Sequence, residues 1–234
     1  MSPIQREPAD LENDPDYRAG VVDLLGVLAY GELMAFERMA ADSALAPTIM
    51  DKAALAKHAA AEEAHFETLK QHLEGMGVDP ATAMTPFVRA LEDFHAQTAP
   101  SDWLEGLAKA YVGDAIAADF YAEVAQQLDS HTREVVLEVV GETGFGEYAA
   151  DQLEAAVSSD PRVAGRIALW SRRIVGAALS EAQRVMEERQ ALSDLFVPDA
   201  EGDELADQIN NLGAAINRVI EKHSARMHRI QLEA

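Results

Sequence analysis

Residues 55–69 read Leu-Ala-Lys-His-Ala-Ala-Ala-Glu-Glu-Ala-His-Phe-Glu-Thr-Leu, and the spacing of their apolar and polar members decides the fold. Leu55, His58, Glu62, His65 and Leu69 follow one another at alternating steps of three and four, which sets them on one face of an α-helix. Leucines at both ends mark that face as buried. Its middle, where apolar side chains are expected, holds Glu62 and His65 one turn apart. Burying an unpaired carboxylate costs several kcal/mol, so this face needs partners from other helices.

Working outward, three more helices show the same interruption. The first long helix, about Tyr17 to Ala41, has the stripe Leu25, Leu28, Glu32, Ala35, Met39, and the second, about Thr48 to Gly75, is the one quoted above. A third, opened by Pro100-Ser101-Asp102 and reaching about Leu128, carries Leu107, Tyr111, Asp114, Ala118 and Tyr121. A fourth, capped by Asp129-Ser130 and running to about Val157, carries Val135, Val139, Glu142, Gly146, Ala149 and Leu153. The connector Pro80 to Pro100, with a short helix over 86–97, is long enough to cross the bundle. Two helical hairpins joined by one long crossover describe an all-α, ferritin-like four-helix bundle with extra C-terminal helices. Those extras are a helix capped by Asp160-Pro161 and running to about Leu195, and, past the linker 197–203, a helix over about 204–232 with the stripe Ile209, Leu212, Ile216, Val219, Ile230. The expected organisation is a tail over 1–16, the bundle over 17–197, and a linker with a C-terminal amphipathic helix over 198–234. The last stripe must pack against the bundle or against a second copy, and it predicts a homodimer.

Composition narrows the chemistry. Aspartate and glutamate number 41 against 19 Lys plus Arg, a formal charge of -22, so a nucleic-acid or anionic-membrane partner is disfavoured. The acidic, proline-bearing start resembles no signal peptide and no long uninterrupted apolar run is present, which predicts a cytoplasmic chain without a membrane span. Cysteine is absent, which removes disulfides, zinc knuckles, iron–sulfur clusters and thiol catalysis. Any metal here takes carboxylate and imidazole ligands.

Bundles of this connectivity house dinuclear metal sites built from a Glu on each of two helices and a Glu-x-x-His on each of the other two. Glu32 with Glu62-x-x-His65 matches one half. Asp114 with Glu142-x-x-Phe145 gives the acids of the other half, at a similar chain spacing, but Phe145 stands where the second histidine would be. Glu-x-x-His is weak as a motif alone: Glu92-x-x-His95 has it too, in the connector, with no partner acids at bundle spacing. The joint pattern points to Glu32, Glu62, His65, Asp114 and Glu142 as ligands of iron, or of iron and manganese, since hard carboxylates with one imidazole suit those ions. The other reading is a metal-free network in which Tyr30, Tyr111, Tyr121 or His58 satisfies the buried acids. His58 is either a partner that orients a ligand or a packed ring. Glu37 and Asp119 read as solvated or supporting acids, and Glu181 as a ridge residue paired with Arg184. Arg162, Arg166, Arg173 and Trp170, like Arg218, Lys222, Arg226 and Arg229, read as partners for the surplus acids rather than a nucleic-acid strip.

Several blocks carry a family likeness: Ala29-Tyr30-Gly31-Glu32, Glu62-Glu63-Ala64-His65-Phe66, residues 94–103, and Tyr111-Val112-Gly113-Asp114 through Tyr121. Over about residues 16–197 the chain resembles the actinobacterial ferritin-like proteins described as similar to MiaE, the tRNA isopentenyladenosine hydroxylase. The resemblance implies a non-haem di-iron site that uses O2, with Glu32, Glu62, His65 and Glu142 at ligand-type positions. The expected function is O2-dependent oxidation or hydroxylation of a small substrate. The alternative is a non-catalytic bundle with a lapsed metal site, acting in dimerisation or partner binding.

Overall fold

Helix starts fall where side-chain oxygens can receive the free amides of a first turn. In a computed structural model, describing residues 10–141, 144–196 and 203–233, Asp14 accepts from the Tyr17 amide ahead of α2 (Pro15–Asp42), which follows the short α1 (Asp10–Asn13). Thr48 caps α3 (Ile49–Gly75) in the same way. The crossover contains α4 (Pro80–Met84) and α5 (Val88–Gln97), and Asp102 then caps α6 (Trp103–Lys109). A π-helical turn, Ala110–Asp114, joins α6 to α7 (Ala115–Ala125). Next come α8 (Ser130–Val139), capped by Asp129, and α9 (Phe145–Ser159). The chain ends with α10 (Pro161–Glu188), α11 (Gln190–Phe196) and α12 (Asp203–Arg229). Among the described residues there is no strand.

The all-α architecture agrees with the sequence reading: α2 and α3 form one hairpin, and α6–α7 with α8–α9 form the other. Three expectations need correction. The fourth helix is not continuous, because it stops at Val139 and resumes at Phe145, with Gly144 at φ 78° on the far side of the break. Only glycine adopts that left-handed conformation without strain. The fifth breaks at Arg189, whose guanidinium leaves the helix surface to hold Asp23 on α2, giving α10 and α11. The third carries the π turn rather than running as one α-helix.

The last helix docks on the bundle through its C-terminal end. Met227, Ile230 and Leu232 are buried, and Arg218, Lys222 and Arg226 bind Glu123 and Asp119 on α7. Ile216 and Ile220 stay exposed on the same helix. Of the expected stripe, Ile209 lies where side chains are outside the described residues. So does the linker, residues 197–202.

α2 with the following turn is long and apolar enough to cross a membrane by length and composition, with a mean hydropathy of 1.6 over its best window. More than half of that window is buried in the bundle, so the core accounts for its hydropathy.

The buried apolar side chains form two clusters rather than one. One gathers Met39, Leu55, Ala59, Leu107, Tyr111, Phe145, Ile174 and Met227. The other gathers Leu25, Leu28, Leu69, Phe87, Leu128 and Val136. Along α2 the change falls between Leu28 and Met39, along α3 between Ala59 and Leu69, and after the π turn beyond Val112. Glu32, Glu62, His65 and Asp114 stand at those changes, so a polar belt divides the core.

Candidate metal centre

The belt has its tightest point on the α2–α3 hairpin. Glu32, Glu62 and His65 each offer one ligand-type atom, and these atoms lie within 4.8 Å of one another. His65 Nδ1 is 3.4 Å from Glu32 Oε2 and 3.7 Å from Glu62 Oε2, too long for well-formed hydrogen bonds. Glu32 Oε2 and His65 Nδ1 are buried with no hydrogen-bond partner, as is Asp114 Oδ2. Buried polar atoms are rarely left this way, and carboxylate oxygens with an imidazole nitrogen are donors that suit iron or manganese.

Electrostatics show why the group is unstable as it stands. Burial, reinforced by Glu62, pushes the Glu32 carboxyl well above the usual range, with His65 opposing. For Glu62 burial acts upward too, but contacts with His65, Glu32 and His58 outweigh it and hold the carboxyl low. The two carboxylates, Glu32 first, raise the His65 imidazole to about 10, so a proton stands in the place a cation would take. Asp114 is pushed well above its ordinary value by burial and by the charge of Glu62, with Lys109 opposing.

Of the five expected ligands, the structure therefore clusters Glu32, Glu62 and His65 and sets Asp114 within electrostatic reach of Glu62. Glu142 lies outside the described residues. Phe145 is buried and stacks on His58, with ring centroids 4.2 Å apart and planes 11° from parallel. His58 Nε2 in turn lies 3.2 Å from Glu62 Oε1, and burial lowers its pKa, so the neutral ring donates to the carboxylate. The apolar ring at the position where a second histidine was expected thus packs against the imidazole that binds Glu62.

The acids read as supporting or solvated lie outside the cluster. Glu37 is exposed, Asp119 binds Lys222 and Arg226, and Glu181 pairs with Arg184 at 2.6 Å. The tyrosines proposed to satisfy the acids divide. Tyr30 interacts with Glu92, and the Tyr111 hydroxyl donates to Arg226 O at 3.0 Å. Tyr121 is pushed up to about 12 by burial and by the charge of Glu32.

Sequence reasoning missed Lys109 and dismissed His95. Lys109 is 6% exposed, donates to His95 Nδ1 at 3.0 Å, and is lowered by burial to about 8. His95 is lowered to about 3 by burial and by Lys109. With Arg38, Asp42 and Asp114 they line a cavity of about 20 Å³, enough for water next to the belt. The signals were a single lysine inside the apolar run Leu107–Val112 and the Glu92-x-x-His95 motif itself.

The family model for a ferritin-like domain of actinomycetes matches residues 15–199. The chain belongs to that ferritin-like family. Its match covers the four bundle helices and the crossover, so every residue of the belt falls inside the ferritin-like domain. Among solved structures, the domain is similar to one titled a protein with aldehyde deformylating oxidase activity from Synechococcus. The identity is 16%, the TM-score is 0.64, and the alignment covers 94% of this chain and 93% of that one. At that identity the likeness shows the shared helical fold. No curated protein matches the chain.

Proposed function

We propose that this ferritin-like domain binds non-haem iron, or iron with manganese, at the core belt and carries out O2-dependent oxidation of a small organic substrate. One observation carries this reading: Glu32, Glu62 and His65 converge within 4.8 Å, with buried, unpartnered oxygen and nitrogen atoms, at the level where the apolar core divides. Glu32, Glu62, His65 and Asp114 would hold the metal, with Glu142 as a further ligand. Bound iron supplies the capacity to take up O2 and pass electrons to it. The chain's own residues do the rest. His58 fixes the orientation of Glu62, Phe145 stacks on that imidazole and shields it from water, and Tyr121 raises no competing charge near Glu32 because burial keeps its hydroxyl neutral. The family, the oxidase named in the neighbour's title and the resemblance to MiaE-like hydroxylases support oxidation or hydroxylation as the reaction class. The -22 charge argues against tRNA as the substrate.

Phe145 favours one second reading, a centre reduced to a single ion or to none, with the chain acting in dimerisation or partner binding. Exposed Ile216 and Ile220 on α12 are the surface that would pair two copies. Anaerobic loading with Fe(II) and elemental analysis separates the readings. Two ions per chain, lost together in Glu62→Ala/His65→Ala, supports the oxidase. One ion supports the reduced centre, and equal iron in wild type and double variant overturns metal binding at the belt. Sedimentation of wild type against Ile216→Lys/Ile220→Lys tests the dimer.

A further inference from the structure

Between Pro161 and Ser180, α10 has no aspartate or glutamate, in a chain where acids outnumber Lys plus Arg 41 to 19. The same stretch holds Arg162, Arg166, Arg172 and Arg173. Arg184, Arg189, Arg218, Arg226 and Arg229 pair with acids, Arg166 binds Asp102 and Glu105, and Arg18 and Arg133 are taken up by backbone carbonyls. Arg162, Arg172 and Arg173 are exposed and have no acid partner among the described residues. Arg173 lies over the Trp170 ring, 5.5 Å from its centroid. Leu169 is 67% exposed between them, and a Cβ at Gly165 or Gly176 would meet nothing within 4 Å. Helical steps of three, four and seven put Arg162, Leu169, Arg173 and Gly176 on one outward face.

The inward side of the same helix reaches the belt. Trp170 Nε1 donates to Glu105 O at 2.9 Å, and fully buried Ile174 packs against Gly113 in the π turn that ends at Asp114. One helix, about 10 Å thick, separates the basic face from that turn.

We propose that the outward face of α10, centred on Arg162, Leu169, Arg172 and Arg173, docks a small acidic one-electron carrier protein. The identity of the carrier's role rests on the metal reading. Hydroxylation of a substrate RH by O2 gives ROH and water only if two further electrons and two protons are supplied. The chain has no cysteine with which to hold an electron relay of its own. Charge complementarity selects an acidic protein over a longer polyanion. A compact partner touches the patch alone, whereas nucleic acid or an anionic membrane also meets the negative surface around it. Unpaired arginines around the exposed Leu169 offer such a partner charge to pair with and apolar surface to cover.

The test uses the full chain with a plant-type [2Fe–2S] ferredoxin as the acidic probe, read first by calorimetry on the metal-free protein. Arg172→Glu/Arg173→Glu is expected to weaken binding about tenfold or more, while the charge-matched Lys52→Glu/Lys57→Glu on α3 leaves it within about twofold. Circular dichroism of both variants checks that they fold as wild type. The second readout is reduction of the iron-loaded protein, which should slow with reduced ferredoxin in the α10 variant and stay unchanged with dithionite. Absent ferredoxin binding in wild type, or binding insensitive to the α10 reversal, overturns the proposal. So does a wild-type dimer that the reversal dissolves, or tighter binding to anionic vesicles or tRNA than to ferredoxin. If iron never loads, the metal reading fails separately, and calorimetry still decides the docking face. If iron loads and dithionite reduces it but ferredoxin does not, the docking proposal fails alone.

Discussion

Asp114 shows how a residue can be costly to the empty protein and useful to the loaded one. Its Oδ2 is buried without a partner and its carboxyl is pushed up by burial and Glu62, so in the metal-free chain it destabilises the fold. Asp114→Asn removes the charge at nearly the same volume. Metal-free melting should rise, by about 2–4 °C for each kcal/mol recovered, while Fe(II) affinity should fall by about tenfold. Differential scanning fluorimetry beside calorimetric Fe(II) titration checks both signs, and a fall in both would make Asp114 a packing residue only. His65 gives a pH signature. Its folded value, about 10, lies above the ordinary 6.5, so the folded state binds the extra proton. The stability this contributes is complete below pH 6.5 and is lost as pH rises toward 10. Lys109, lowered to about 8, works in the opposite direction above that pH, so its effect stays out of the range from about 6.5 to 8, where the raised carboxyls of Glu32 and Asp114 act in the same direction as His65. Metal-free wild type should melt lower at pH 8 than at pH 6.5, and His65→Gln should flatten that slope.

At the scale of elements, close helix contacts divide the glycines into two kinds. A Cβ at Gly26 would sit 2.3 Å from Ala83 O, where α4 crosses α2, whereas one at Gly176 on α10 meets nothing within 4 Å. Gly26→Ala should therefore destabilise by about 1–3 kcal/mol through backbone displacement. Gly176→Ala should stabilise by about 0.5–1 kcal/mol through lost chain entropy in the unfolded state. Urea melts of the two variants read the opposite signs directly. The same elements show what a sequence reveals. Caps at Asp129 and Asp160, helix starts at Thr48 and Asp102, and the stripes of α2 and α3 were legible, because they depend on local spacing, and with them came Glu32, Glu62 and His65. The break between α8 and α9 was hidden by apolar periodicity that continues from Val135 to Leu153, although Gly141, Gly144 and Gly146 mark it. The break at Arg189 depends on Asp23, 166 residues away, a tertiary contact no local pattern encodes. The π turn shifts the phase of the third stripe at Asp114, which no local pattern announces, and Asp119 beyond it is taken up by Arg226 on α12.

For the whole molecule the controlling quantity is charge, -22 over 234 residues, and α12 is the element that offsets part of it. Arg218, Lys222, Arg226 and Arg229 bring cations to Glu123, Asp119, Asp151 and Glu154, while Met227 and Ile230 enter the core cluster that contains Phe145 and Ile174. Removing residues 198–234 should therefore lower the melting temperature for two separable reasons. The acids of α7 and α9 lose their counter-charges, and apolar surface covered by Met227 and Ile230 meets water. Salt distinguishes them. Raising NaCl from about 0.05 to about 0.5 M shortens the screening length severalfold, so it should recover the electrostatic share in the truncated chain. Met227→Ala/Ile230→Ala in the full chain should cost about 2–5 kcal/mol per residue at most. That loss should be nearly the same at both salt concentrations, because the arginine pairs stay in place. Equal salt responses in the truncation and the double alanine variant would mean that α12 acts through packing alone. The charge balance would then be carried elsewhere on the surface.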